Sequence, residues 1–142
     1  MRTRYFALVM GLIFLVVGIL GFVPALLTPP PGDEPVRITM AHGLLFGLFP
    51  VNVLHNLVHL AFGVWGVVVW RSFTASRGYA RSVAWIYAVL AILGLFPVVR
   101  TVFGLVPIWG NDIWLHALIA IVSAYFGYAS VTTVEEAPVR RP

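Results

Sequence analysis

Residues 5–27 read YFALVMGLIFLVVGILGFVPALL and carry no charged side chain over 23 positions. The hydrocarbon core of a bilayer takes about 20 apolar residues of helix, so this stretch is long enough to span one. Arg2 and Arg4 precede it, and Val23-Pro24-Ala25 loosely resembles a signal-cleavage site. The apolar region of a signal peptide runs about 7–15 residues. This run is longer, and it is read as a retained first transmembrane helix.

The rest of the chain has the same character. Of its 142 residues 61% are hydrophobic and 10% charged, with a mean hydropathy of +0.97. Soluble domains are about 45–50% apolar and about 25% charged. A single soluble core of this size could not hide that much apolar surface, which excludes an ordinary cytosolic enzyme and a disordered chain. Cysteine is absent, so disulfides, thiolate metal sites and covalent c-type haem attachment are excluded too. The formal charge of +4 comes from nine arginines and no lysine, dispersed between apolar runs. That pattern marks membrane topology and gives no sign of nucleic-acid binding.

Outward from the first span, residues 28–37 hold Pro29, Pro30, Pro31, Gly32, Asp33, Glu34 and Pro35, which stop a helix and form a loop. Residues 38–70 then lack Asp, Glu, Lys and Arg for 33 positions. Pro50 divides this run into an interfacial helix at about 39–48, within an outer loop of about 28–50, and a second span at about 51–70. Arg71, Arg77 and Arg81 are placed in the next loop. A third span is expected at about 82–99, ended by Pro97 and Arg100, and a fourth at about 113–131. A disordered tail of 132–142 follows. The expected fold class is all-α: a transmembrane four-helix bundle forming one membrane domain over 1–142. With four spans, seven of the nine arginines lie on one side, and only Arg37 and Arg100 on the other. The positive-inside rule then puts both termini in the cytoplasm.

Two stretches repeat. Residues 46–51, FGLFPV, match residues 103–108, FGLVPI, at an offset of 57, which also carries His59 onto His116 and His55 onto Asp112. Upstream, residues 19–24 match 92–97 at an offset of 73. The extra residues fall in the first outer loop. The economical reading is a duplicated helical hairpin with a pseudo-two-fold axis along the membrane normal; chance similarity of apolar helices is the alternative.

Small and polar residues form stripes: Asn52, Asn56, His59, Gly63 and Gly66 on the second helix, and His116, Ala120, Ser123, Gly127 and Ser130 on the fourth. This spacing keeps them on one face, and small residues let helices approach closely in lipid. Ala84, Ala88 and Ala91, with Gly11 and Gly18, supply similar faces on helices three and one. Trp65, Trp70, Tyr79 and Trp85 are read as anchors at the inner interface, Trp109 and Trp114 at the outer.

The histidines all fall in the outer half. His55 and His59, spaced i, i+4, offer two nitrogen ligands, and His116 and Asp112 complete a set of three or four N/O donors for a divalent metal. His42, Asn52, Asn56, Asn111 and Arg100 lie at similar depth. Position 56 is Asn where a metalloprotease HExxH motif needs Glu, so that hydrolysis is not supported. The competing reading makes the cluster an interhelical hydrogen-bond network, each bond worth roughly 0.6 kcal/mol. A haem held by His59 and His116, or a proton, quinone or lipid-headgroup site, completes the alternatives. No acidic residue lies at the expected midplane, which weakens transport. Asp112 is first read as a cap for the fourth helix, with pairing to Arg100 or a histidine as the alternative.

Residues 47–60, GLFPVNVLHNLVHL, resemble the signature stretch of an uncharacterised bacterial family of small four-span membrane proteins, common in actinobacteria and known only as a domain of unknown function. The resemblance covers about 5–130. It implies a four-helix protein of the bacterial inner membrane and carries no activity, cofactor or catalytic residue. The resulting expectation is a non-enzymatic structural or interaction protein in the lipid bilayer, with a membrane-protein partner or a second copy. A metal- or haem-binding redox or transport component is the alternative.

Overall fold

The computed structural model describes residues 2–30, 32 and 35–129; the expected tail at 132–142 lies outside them. Helix α1, Arg2–Leu20, starts earlier and ends earlier than the apolar run suggests. Pro24 opens a 3₁₀ turn, Pro24–Leu26, because it has no N–H to continue the α ladder.

The expected interfacial helix at 39–48 is replaced by a small antiparallel sheet. Strands β1 (Leu27–Thr28), β2 (Gly43–Leu45) and β3 (Phe49–Val51) pair in that order, with Leu27 opposite Leu45 and Leu44 opposite Pro50. The β2–β3 turn holds Phe46 and Gly47 at φ 55 and 71. A left-handed pair breaks any helix. The described residues are therefore mostly helical with three short strands, not all-α.

Helix α2 spans Val53–Val69. It begins there because Asn52 is extended and its side chain accepts from the His55 N–H at 3.0 Å, an N-cap. Helix α3, Phe73–Gly94, begins well before the expected position 82. Ser72 caps it, accepting from the Ala75 N–H, and Ser76 Oγ donates to the Val69 carbonyl of α2. Arg77 and Arg81 thus ride on the helix, not in a loop. Its end at Gly94 falls short of the expected 99. Helix α4, Asn111–Ala124, runs on into a π-turn, Tyr125–Ala129.

α1 packs along α2 and α3 along α4, and α1 also meets α3. The polar and small stripes turn inward as their spacing requires: Asn56, His59, Gly63 and Gly66 on α2, and His116, Ala120 and Ser123 on α4 are buried. α1 and α2 touch through backbone. A Cβ on Gly63 would stand 2.8 Å from the Leu15 nitrogen, and one on Gly66 would stand 2.7 Å from the Ala7 carbonyl oxygen. Phe14, Tyr79, Val83 and Tyr87 fill the centre. Tyr79 is fully buried, so it is a core residue and not an interface anchor. Among the described residues two helical stretches, Arg2–Leu20 and Asn111–Ala129, are long and apolar enough to cross a membrane; Val53–Val69 is apolar but shorter.

Candidate functional site

The first turns of α2 and α4 start at the same end of the molecule, beside the sheet, and face each other. Two turns of chain hold them there. Phe46-Gly47 and Phe103-Gly104 share the left-handed geometry, the latter pair at φ 58 and 88. Asn52 Nδ2 donates to the Leu105 carbonyl at 2.7 Å and to the Ile38 carbonyl at 3.0 Å. In the other direction Asn111 Nδ2 donates to the Leu48 carbonyl at 3.3 Å. Each helix start therefore grips the turn that precedes the other helix.

Between these starts lie His55, Asp112 and His116, all buried. One ligand atom from each lies within 4.8 Å of the other two. His55 Nδ1 is 3.9 Å from Asp112 Oδ2, within ion-pair reach but beyond hydrogen-bond distance. His55 Nδ1 is also 3.1 Å from the Pro50 carbonyl oxygen, and the Pro107 carbonyl contacts the same ring. With its proton on Nδ1 the ring donates to Pro50 and leaves Nε2 as its lone-pair nitrogen. His59 follows one turn on, its ring 4.6 Å from that of His55. Phe14 stacks on His59 at 5.6 Å, and Tyr87 meets His116 edge-on at 5.1 Å. Two cavities of about 170 and 110 Å³ flank the pair His55 and His59; His116 lines the first and Asp112 the second.

Several polar atoms here find no hydrogen-bond partner among the described residues: Asp112 Oδ2, His59 Nδ1, His116 Nδ1 and Asn56 Oδ1. Buried polar atoms are nearly always satisfied, and an orphan calls for an explanation such as an ion or water. A carboxylate and two imidazoles converging in an apolar setting form an N/O donor set suited to zinc or a similar divalent cation.

The four residues expected as metal ligands are thus brought together, with His59 stacked beside the three whose ligand atoms converge. The expected polar neighbours fare differently. Asn52 is engaged in capping and in gripping the opposite turn. Asn56 is buried and donates to the Gly21 carbonyl at 2.7 Å. Asn111 is exposed on the Leu48 carbonyl. Arg100 lies in the connection after α3, where its carbonyl accepts from the Ile108 N–H. His42 is half-buried in the turn before β2, and partial burial holds its imidazole below the ordinary histidine value. Asp112 is not the cap of α4: Gly110 at φ 66 takes that position, and the carboxylate turns inward toward His55. Tyr87, Phe14 and the carbonyls of Pro50 and Pro107 were not singled out from sequence. The repeat carries Pro50 onto Pro107, and that coincidence was the available signal for the two carbonyls.

No curated protein and no solved structure matches the chain. A family model, described as Domain of unknown function (DUF4383), matches residues 4–129. With that match covering most of its length, the chain belongs to the DUF4383 family.

Proposed function

We propose that this is a four-span protein of the bacterial plasma membrane, with both termini cytoplasmic, that binds a divalent metal ion at the outer ends of α2 and α4. The membrane reading rests on large apolar side chains left exposed on the helix surfaces. Val68 is 71% exposed, Trp114 73% and Ile121 69%. Apolar surface of this extent marks contact with lipid or protein. The arginines Arg71, Arg77 and Arg81 at the opposite end from the sheet support the orientation. The matching left-handed turns at offset 57, and the reciprocal grip of Asn52 and Asn111, support a duplicated hairpin.

The metal reading is carried by one observation: His55, Asp112 and His116 converge within 4.8 Å while Asp112 Oδ2 and His116 Nδ1 have no hydrogen-bond partner among the described residues. A purely structural network would pair those atoms. Ligands about 2.0–2.1 Å from a four-coordinate zinc sit roughly 3.3 Å apart, so a modest inward rotation of the side chains closes the site, with His59 or water as the fourth ligand. The locking role falls instead to Asn52 and Asn111. Haem is disfavoured, because the His55 and His59 rings are in contact and the flanking cavities are too small for a porphyrin. We read the protein as a binding component and not as an enzyme.

Cobalt(II) titration of the purified protein tests this. A tetrahedral N/O site gives visible d–d absorption that saturates at one ion per chain and is displaced by zinc. His116→Ala abolishes the spectrum. A spectrum unchanged by His116→Ala overturns the assignment.

A further inference from the structure

The opposite end of the α3–α4 pair carries a second arrangement. Arg77 Nε and Arg81 Nε each donate to the Gly127 carbonyl at 2.9 Å. Gly127 sits in the π-turn, and a Cβ there would stand 2.9 Å from Arg81 Cγ, so glycine admits the arginine. Single π-turns frequently mark functional positions. Arg81 also lies over the Tyr128 ring, 4.8 Å from its centroid, and Tyr128 OH accepts from Trp85 Nε1 at 2.9 Å. One carbonyl thus holds two guanidinium groups side by side through their Nε atoms. Asp112 is the only acidic residue among the described residues, and it lies at the other end of α4.

From this cationic rim an apolar groove of about 270 Å³ runs between α3 and α4, floored by Ala84, Ala88, Ala120 and Ala124 and walled by Trp85 and Ile121. Its lining on α3 begins at Ala84, about one turn beyond Arg81, and follows the helix to Ala88 for about 6 Å at 1.5 Å per residue. An alanine floor leaves the space that larger side chains would fill. We infer that this groove holds one anionic phospholipid, its phosphate on Arg77, Arg81 and Tyr128 OH and an acyl chain along the alanines. Charge complementarity selects the occupant: paired guanidiniums at a membrane surface favour an anionic headgroup, and the uncharged groove below them suits a hydrocarbon chain.

The inference rests on the membrane reading above, which carbonate extraction of cell membranes tests separately. The groove itself is tested by native mass spectrometry of the full chain in detergent, titrated with phosphatidylglycerol or with phosphatidylcholine of identical chains. The wild type is expected to retain one phosphatidylglycerol with roughly tenfold preference or more. Arg77→Gln/Arg81→Gln equalises the two lipids, and Ala88→Trp, which fills the groove and leaves the rim intact, weakens both. Equal binding of the two lipids by wild type overturns the proposal. So does a preference that survives the double substitution, or binding indifferent to Ala88→Trp. A carbonate-resistant protein with no lipid preference refutes the groove alone.

Discussion

Gly66→Ala and Gly78→Ala make a matched pair, since both glycines lie inside helices. At Gly66 an added Cβ would stand 2.7 Å from the Ala7 carbonyl oxygen, 2.9 Å from Gly11 Cα and 2.9 Å from Tyr79 OH. Two of these are backbone atoms of α1 and cannot swing aside. Relief requires α1 and α2 to part, which also loosens the Gly63 contact one turn away. Overpacking of this kind costs about 1–3 kcal/mol, against a gain of about 1 kcal/mol from replacing a mid-helix glycine. With every contact inside 3 Å the steric cost lies at the upper end, for a net loss of about 1–2 kcal/mol. At Gly78 nothing lies within 4 Å of the new Cβ, so the same substitution should stabilise by about 0.5–1 kcal/mol. Reversible unfolding in mixed micelles, followed by circular dichroism, reads both. The reasoning is refuted if Gly66→Ala is as stable as Gly78→Ala.

Further outcomes follow from the same contacts. Asn52→Ala removes a helix cap and two hydrogen bonds to the loops, and should cost about 2–3 kcal/mol in the same unfolding assay, with or without added metal. Metal affinity should fall in acid, because imidazoles must shed their protons to bind; cobalt titration at a series of pH values reads this, and pH-independent affinity contradicts histidine ligation. Reporter fusions at both termini should report the cytoplasm, and a periplasmic N-terminus would reverse the topology.

The inward faces were legible because period 3.6 and small-residue spacing act together: Asn56, His59, Gly63 and Gly66 could share only one side of a helix. The convergence of His55 with Asp112 and His116 was legible through the repeat, which carries His55 onto Asp112. The hairpin at Gly43–Val51 was not. Three apolar residues per strand cannot display a period, and the deciding fact, left-handed geometry at Phe46, is rare for a residue with a side chain. The start of α3 was missed because Arg77 and Arg81 read as loop charges. In the fold they are long side chains that reach from a helix to the Gly127 carbonyl. Asp112 was misread as a cap because Asn111-Asp112 precedes an apolar run, yet Gly110 supplies the turn and frees the carboxylate to face His55.

The most direct test of the metal-site account is the zinc content of the purified full-length protein after dialysis at neutral pH, measured by elemental analysis beside His55→Ala/His116→Ala. The account predicts one zinc per wild-type chain and none in the variant. A wild-type protein that takes up no zinc, or a variant that retains it, contradicts the account.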